Sequence, residues 1–149
     1  MSKIANDSNQ YFHATVLVNR PLLDVWQALV NVEQWHRWDT ELKSAALSGP
    51  FAVATKGTML PQAGPKLQFL ISEVKSHESY TIDTKLPVGA LIMKRTLRLD
   101  STSGFTEFHD DIKFTGMFKA PFGFFLGRKF RRVLPEVMSN FKQFAENGS

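Results

Sequence analysis

The chain has 149 residues, 43% hydrophobic and 21% charged, a composition that suits one globular domain with a single core. It contains no Cys, which excludes disulfides, thiolate catalysis and cysteine-based metal sites. The net charge of +4 is too mild to indicate nucleic-acid binding, and no apolar run resembles a signal peptide or a membrane span. Residues 1–10 are polar and predict a flexible N-terminal arm ahead of a single domain over residues 11–149. A soluble cytoplasmic protein without a nucleic-acid partner is therefore expected.

The first ordered elements are predicted to be one strand and two short helices. Apolar and polar residues alternate from Tyr11 to Asn19, which predicts a strand. Pro21 suits the first turn of a helix, and the apolar spacing after it predicts a short helix with Trp26 on its buried face. The segment Trp35-His-Arg-Trp38-Asp39 predicts a second short helix or a turn.

From residue 42 onward the sequence predicts strands, followed by one long helix. The six predicted strands are Leu42–Leu47, Gly57–Leu60, Lys66–Val74, Ser79–Leu86, Ala90–Asp100 and Phe105–Thr115. Short turns between alternating strands indicate an antiparallel meander. The stretch from Ala120 to Glu146 has apolar residues at helical spacing. Pro135 lies within this stretch and predicts a kink near Arg131 or a division into two helices.

This order of elements predicts an α+β fold. A curved antiparallel sheet of six or seven strands would wrap around the long C-terminal helix, with two short helices after the first strand. One helix does not easily fill the space inside a strongly curved sheet, so we expect an internal cavity.

Three segments carry a family resemblance. They are Asn19-Arg-Pro-Leu-Leu-Asp-Val-Trp26-Gln-Ala-Leu29, Val32-Glu-Gln-Trp35-His-Arg-Trp38 and Phe114-Thr-Gly116. These segments and the element order over about residues 11–146 resemble the START/SRPBCC superfamily, which includes polyketide-cyclase-like and birch-pollen-allergen-like proteins. The resemblance implies a helix-grip fold with an apolar pocket between sheet and helix. It does not imply one function, because the superfamily includes lipid carriers, hormone receptors, cyclases, dehydratases and chaperone cofactors.

Strand alternation and the apolar stripe of the helix select the residues expected to line this pocket. The predicted ligand-binding residues are Phe69, Tyr80, Met93, Arg95, Asp110, Phe114, Phe118, Phe130, Leu134 and Met138. Arg95 and Asp110 should face each other on neighbouring strands, where they either orient a polar ligand end or only satisfy each other. Asp110 and Asp111 should point to opposite faces of the sheet, so they cannot act together on one substrate atom.

No motif in the sequence identifies a catalytic residue. A Gly-x-Ser-x-Gly elbow, a phosphate loop and a dinucleotide fingerprint are all missing from it. The four histidines, His13, His36, His77 and His109, are far apart, and none has a metal-type partner two or four residues away. We therefore expect no metal site and no cofactor.

The segment from Met117 to Gly127 is rich in Phe and Gly and admits three interpretations. It could form a core plug beneath the helix, a flexible mouth of the pocket, or a loop that touches a membrane surface transiently beside basic residues. The sequence does not decide between them.

The functional hypothesis is that the protein binds a small hydrophobic or amphipathic ligand. Transport of the bound ligand is a further role that this hypothesis allows. A lipid, an isoprenoid or a polyketide-like aromatic would suit a pocket between the sheet and the C-terminal helix. The first alternative is an enzyme of the cyclase/dehydratase type that uses the same pocket. The second is a non-catalytic protein-interaction module with a filled core. The sequence identifies neither the ligand nor the oligomeric state.

Overall fold

The elements follow one another in the predicted order. A computed structural model describes residues 11–86, 89–115 and 122–147, and gives the backbone alone for 122–128 and 130. Its elements are β1 (Tyr11–Val18), α1 (Leu22–Val30), a 3₁₀ helix (Val32–Arg37), β2 (Leu42–Leu47), β3 (Lys56–Pro61), β4 (Leu67–Lys75), β5 (Ser79–Lys85), β6 (Ala90–Leu99), β7 (Thr106–Thr115) and α2 (Phe122–Glu146). The predicted N-terminal arm lies outside the described residues.

The strands form a single curved sheet. Its order is β1-β7-β6-β5-β4-β3-β2, and each neighbouring pair is antiparallel. Strands β2 to β7 are a meander, while β1 pairs with β7, so the first and last strands lie side by side. Helix α1 and the 3₁₀ helix connect the two edge strands, β1 and β2. The predicted α+β fold, a seven-stranded antiparallel sheet around a long C-terminal helix, is confirmed.

Helix α2 presents an apolar stripe to the interior. Its buried residues are Val133, Leu134, Val137, Met138, Phe141 and Ala145. Pro135 is exposed, and the helix continues through it, so the predicted division into two helices is wrong. Pro135 has no N–H to donate and its side chain is exposed, so the helix continues with one backbone hydrogen bond fewer. Neither α2 nor any other helix in the described residues has the length and apolar character needed to cross a membrane.

An aromatic cluster joins the short helices to the sheet. Trp26 of α1 is 7% exposed, as its predicted place in the core requires, and its ring lies 6.0 Å from that of Tyr80. Trp35 of the 3₁₀ helix stacks on Tyr80 at 6.4 Å and lies 5.7 Å from Phe69. The indole nitrogen of Trp35 donates to the carbonyl of Leu29 at 2.9 Å. These contacts fix the helical segments over one end of the sheet.

A glycine in β3 makes room for part of this cluster. Gly57 is the cross-strand partner of Phe69, and a Cβ built on Gly57 would lie 2.2 Å from Cζ of the Phe69 ring. We predict that Gly57→Ala displaces the ring and lowers the free energy of unfolding by about 1–3 kcal/mol. Denaturant unfolding measures the change. Gly49→Ala is the control, because its added methyl would meet Thr55 at an ordinary 3.8 Å. Equal midpoints for Gly57→Ala and wild type would contradict this packing.

Candidate functional site

A cavity of about 240 Å³ lies between the sheet and α2. Its walls are mostly apolar side chains that strand alternation and helical spacing turn inward. The helix supplies Val133, Leu134 and Val137, and the strands contribute Met59, Leu67, Leu91, Met93, Ile112 and Phe114. This volume is slightly below the usual range for small-molecule sites, so it suits a compact ligand better than a long-chain lipid.

One end of the cavity is polar. It is lined by Arg95 of β6, Asp110 of β7 and Asp39, which follows the 3₁₀ helix. Arg95 and Asp110 are cross-strand partners, and their side chains are 3% and 1% exposed. Arg95 Nε lies 3.5 Å from Asp110 Oδ2, a distance and geometry that make an ion pair without a hydrogen bond. The predicted inward Arg–Asp pair is therefore confirmed.

The guanidinium of Arg95 is surrounded by aromatic groups. Its central carbon lies 5.2 Å from the ring centre of Trp35 and 5.0 Å from that of Trp38, within the range of cation–π attraction. Its Nη1 donates to the hydroxyl of Tyr80 at 3.1 Å, and that hydroxyl donates to the carbonyl of Leu29 at 3.1 Å. Burial opposes the charge of Arg95, but Tyr80 and the nearby carboxyl groups raise its pKa above the ordinary value. Arg95 therefore stays positively charged.

Several buried polar atoms lack a hydrogen-bond partner among the described residues. They are both carboxylate oxygens of Asp110, Arg95 Nε, the indole nitrogen of Trp38 and the hydroxyl oxygen of Thr84. A buried polar atom without a hydrogen bond costs free energy, so native proteins rarely keep one without a reason. Asp110 and Arg95 line the cavity, where a bound molecule can reach them. The polar end thus presents hydrogen-bond acceptors next to a donor.

Burial also changes the acidity of this end of the cavity. It raises the pKa of Asp110 to about 6, although Arg95 acts in the opposite direction. It raises the pKa of Asp39 as well, again against Arg95. Burial raises the pKa of Tyr80 to about 12, so its hydroxyl remains a donor near neutral pH. With both carboxyl groups ionised, one guanidinium faces two negative charges, and the polar end carries a net negative charge.

A second ion pair lines the solvent side of the cavity. Glu41 Oε1 lies 3.0 Å from Lys129 Nζ, and the two side chains are 41% and 43% exposed. The pair joins the start of β2 to helix α2. Because it is exposed, it contributes little to stability, and it can open without a large cost.

The structure brings five of the ten predicted ligand-binding residues to the cavity wall. They are Met93, Arg95, Asp110, Phe114 and Leu134. Phe69 and Tyr80 belong to the aromatic cluster, although Tyr80 reaches the site through its hydrogen bond to Arg95. Met138 is buried but is not among the described wall residues. Ligand contact by any of these residues stays a prediction.

Two predicted residues and one predicted segment cannot be placed. Phe118 lies outside the described residues, and the side chain of Phe130 is not described. The segment from Met117 to Gly127 falls outside the described residues up to Pro121 and is described by its backbone alone beyond it. The three interpretations of this segment therefore stay predictions.

Three polar residues of the cavity wall, Asp39, Glu41 and Lys129, are not among the predicted ligand-binding residues. A signal for Asp39 was available, because it directly follows Trp38 in a segment with two buried tryptophans. Lys129 interrupts the apolar spacing of the helix and carries no signal for a place in the cavity wall. No signal in the sequence pairs it with Glu41, which is 88 positions away.

The polar side chains that line the cavity can form hydrogen bonds with a ligand and exchange protons with it. Within residues 11–86, 89–115 and 122–147, no group of three or more His, Cys, Asp or Glu side chains is arranged to hold a metal ion. Asp39 and Asp110 instead face Arg95. Asp110 can gain or lose a proton close to neutral pH, because its pKa is about 6.

The raised pKa of Asp110 predicts a specific dependence of stability on pH. The folded-state value of about 6 exceeds the ordinary 3.8, so between them the folded protein binds more protons than the unfolded chain. The stabilisation from the protonated carboxyl is complete below about pH 4 and is lost as the pH rises through about 6. The loss should reach about 3 kcal/mol.

Denaturant unfolding from about pH 4 to about pH 7 tests this. Asp110→Asn should lose less stability than wild type over that range, and what remains belongs to Asp39, whose pKa is also raised by burial. Asp83→Asn, on the opposite face of the sheet, should follow the wild-type curve. If the curves of wild type and Asp110→Asn run parallel, the pKa of Asp110 is not raised.

Known structures share this fold over nearly the whole chain. Protein MLL2253 from Mesorhizobium loti is 14% identical with a TM-score of 0.76, and the match covers 94% of this chain and 99% of that one. A START superfamily protein from Mycobacterium smegmatis is 9% identical with a TM-score of 0.76 and the same two coverages, 94% and 99%. Ara h 8.0201 is 11% identical with a TM-score of 0.70, covering 92% and 97%. At such low identity these likenesses show the fold alone.

Sequence families give a more specific match. Among curated protein sequences, none matches the chain significantly. The family model described as polyketide cyclase / dehydrase and lipid transport matches residues 10–146, which is nearly the whole chain. The resemblance to the START/SRPBCC superfamily is thereby confirmed, and the protein belongs to the polyketide cyclase / dehydrase and lipid transport family.

Proposed function

We propose that the protein binds a compact apolar molecule that carries a hydroxyl group, in the cavity between the sheet and α2. One observation carries the proposal. The buried carboxylate of Asp110 accepts no hydrogen bond from any described residue, and Arg95 Nε, 3.5 Å away, donates none. A hydroxyl group can donate to the first and accept from the second at the same time.

Other polar groups fit this end of the cavity less well. A carboxylate could accept from Arg95, but its negative charge would be repelled by the ionised Asp110. An ammonium group could donate to Asp110, but it has no lone pair for Arg95 Nε. Alcohols and phenols, including those of isoprenoids and polyketide-like aromatics, are therefore favoured over fatty acids.

The apolar walls supply most of the binding free energy. Each 100 Å² of apolar ligand surface removed from water contributes about 2.5 kcal/mol. The polar end then fixes the orientation of the ligand, as a few convergent polar groups do in other small-molecule sites. The family description includes lipid transport, so carrying such a ligand through the cytoplasm is part of the proposal.

A cyclase/dehydratase-type reaction is the second candidate. It is favoured by the pKa of about 6 at Asp110, which lets this carboxyl group exchange a proton with a ligand oxygen beside Asp39. Mass spectrometry of a β-hydroxyketone incubated with the protein would reveal loss of water. This reaction should disappear in Asp110→Asn. The remaining hypothesis, a non-catalytic protein-interaction module with a filled core, is disfavoured because the interior contains a cavity.

The preference for a hydroxyl group can be measured with three ligands of equal carbon skeleton. We predict that geraniol binds more tightly than geranylamine, and at least about tenfold more tightly than geranic acid, because only the alcohol satisfies both Asp110 and Arg95. Calorimetric titration at neutral pH gives the three dissociation constants. Asp110→Asn should reduce the difference between alcohol and acid, whereas Asp83→Asn should preserve it. Tightest binding of geranic acid would contradict the proposal.

Filling the cavity should abolish binding. Met93 and Leu134 line opposite walls, so Met93→Trp and Leu134→Trp should each prevent uptake of an environment-sensitive apolar dye at a modest stability cost. Leu70→Trp is the control, because Leu70 lies on the outer face of β4 and is 37% exposed. If wild type takes up no dye and both cavity variants are severely destabilised, the space is already packed. That result would favour the hypothesis of a protein-interaction module with a filled core.

A further inference from the structure

The outer face of the sheet brings together two histidines that are far apart in the sequence. His13 of β1 and His109 of β7 have ring centres 5.6 Å apart. Thr15 lies between them as the cross-strand partner of His109. Its Oγ1 is 3.0 Å from His13 Nε2 and 3.2 Å from His109 Nδ1. One ring nitrogen of each histidine therefore faces the same hydroxyl group.

A carboxylate holds the other nitrogen of each ring. His13 Nδ1 lies 2.6 Å from Asp111 Oδ1, and His109 Nε2 lies 3.0 Å from Glu107 Oε1. A carboxylate can only accept, so these two nitrogens carry the N–H groups. Tyr11 donates its hydroxyl to the same oxygen of Asp111 and strengthens this assignment.

The number of protons in this network does not match its number of acceptors. With both rings neutral, His13 Nε2 and His109 Nδ1 each present a lone pair to Thr15, whose hydroxyl has one proton to donate. One lone pair is then left without a donor among these side chains, and it is open to water or to a cation. A cation that accepts both lone pairs removes the mismatch. Around protein metal sites, a carboxylate behind the ligating imidazole orients the ring and raises its basicity, as Asp111 and Glu107 can here.

We propose that His13 and His109 form a surface site for a divalent transition-metal ion, Zn²⁺ or Cu²⁺, which takes the place of the Thr15 hydroxyl between the two rings and completes its coordination with water. Imidazole nitrogen suits these ions, whereas Mg²⁺ prefers oxygen. His13 is 43% exposed and His109 19%, so water can reach the ion. Only two protein nitrogens bind it, which leaves open coordination positions. The site lies on the face of the sheet opposite the cavity and does not depend on the proposed ligand.

Neighbouring positive charges affect which metal ion the site should prefer. Lys94 and Arg98 of β6 are the cross-strand partners of Asp111 and Glu107. Lys94 also lies 4.0 Å from Glu73, and the positive charges of Lys94 and Arg98 reduce the electrostatic attraction of this face for a hard cation. Affinity must then come from bonding to nitrogen, which favours Cu²⁺ over Zn²⁺ and both over Mg²⁺.

Calorimetric titration of the full chain with Zn²⁺, Cu²⁺ and Mg²⁺ tests the site. Zn²⁺ and Cu²⁺ should each bind at one ion per chain, Cu²⁺ more tightly, and Mg²⁺ should give no saturable heat. His13→Gln and His109→Gln should each weaken Zn²⁺ binding by about tenfold or more, and Glu107→Gln by about 10–100-fold. His36→Gln, an exposed histidine of the 3₁₀ helix, is the matched control and should bind as wild type does.

Nitrogen NMR of the wild-type imidazoles provides a readout that does not depend on a variant folding. Adding Zn²⁺ should shift His13 Nε2 and His109 Nδ1 and leave the ring nitrogens of His36 and His77 unchanged. The proposal is overturned if wild type shows no saturable binding of Zn²⁺ or Cu²⁺. It is also overturned if the shifts occur at other histidines, or if the folded double variant of His13→Gln and His109→Gln binds as wild type does.

Discussion

The burial of the Arg95 guanidinium is the constraint on which the interior depends. A charge this deep is tolerated only where aromatic faces, hydrogen-bond acceptors and opposite charges surround it. The 3₁₀ helix and the residue that follows it bring the rings of Trp35 and Trp38 to the guanidinium. Strand β5 supplies the hydroxyl of Tyr80, and β7 supplies the carboxylate of Asp110. One side chain of β6 thus connects the helical segment with the two neighbouring strands, β5 and β7.

This compensation is incomplete on the side that faces the cavity. Arg95 satisfies Tyr80 through Nη1, but its Nε and both oxygens of Asp110 have no hydrogen bond within the described part of the chain. The sheet and α2 leave a cavity of about 240 Å³ at that place. When a native protein leaves buried polar groups without hydrogen bonds at one place, that place is commonly a functional site. The unsatisfied pair and the apolar walls together favour a ligand with one polar end.

Local patterns explain how much of this could be predicted from the sequence. A period of two assigns each side chain to one face of a strand, so the inward pairing of Arg95 with Asp110 was predictable from alternation alone. Alternation does not say how far along the strand the cavity begins. Phe69 was therefore assigned to the pocket, although it packs over Gly57 and against Trp35. The contact of His13 with His109 depends on the pairing of the first strand with the last, which no local spacing reveals.

A crystal structure of the complex with geraniol tests the central claim most directly. The account predicts that the hydroxyl lies at the polar end, within hydrogen-bond distance of both the Asp110 carboxylate and Arg95 Nε, with the hydrocarbon chain against Met93 and Leu134. A ligand bound in the reverse orientation, with its hydroxyl beside Glu41 and Lys129, would contradict the account. So would a complex in which the oxygens of Asp110 remain without any hydrogen bond.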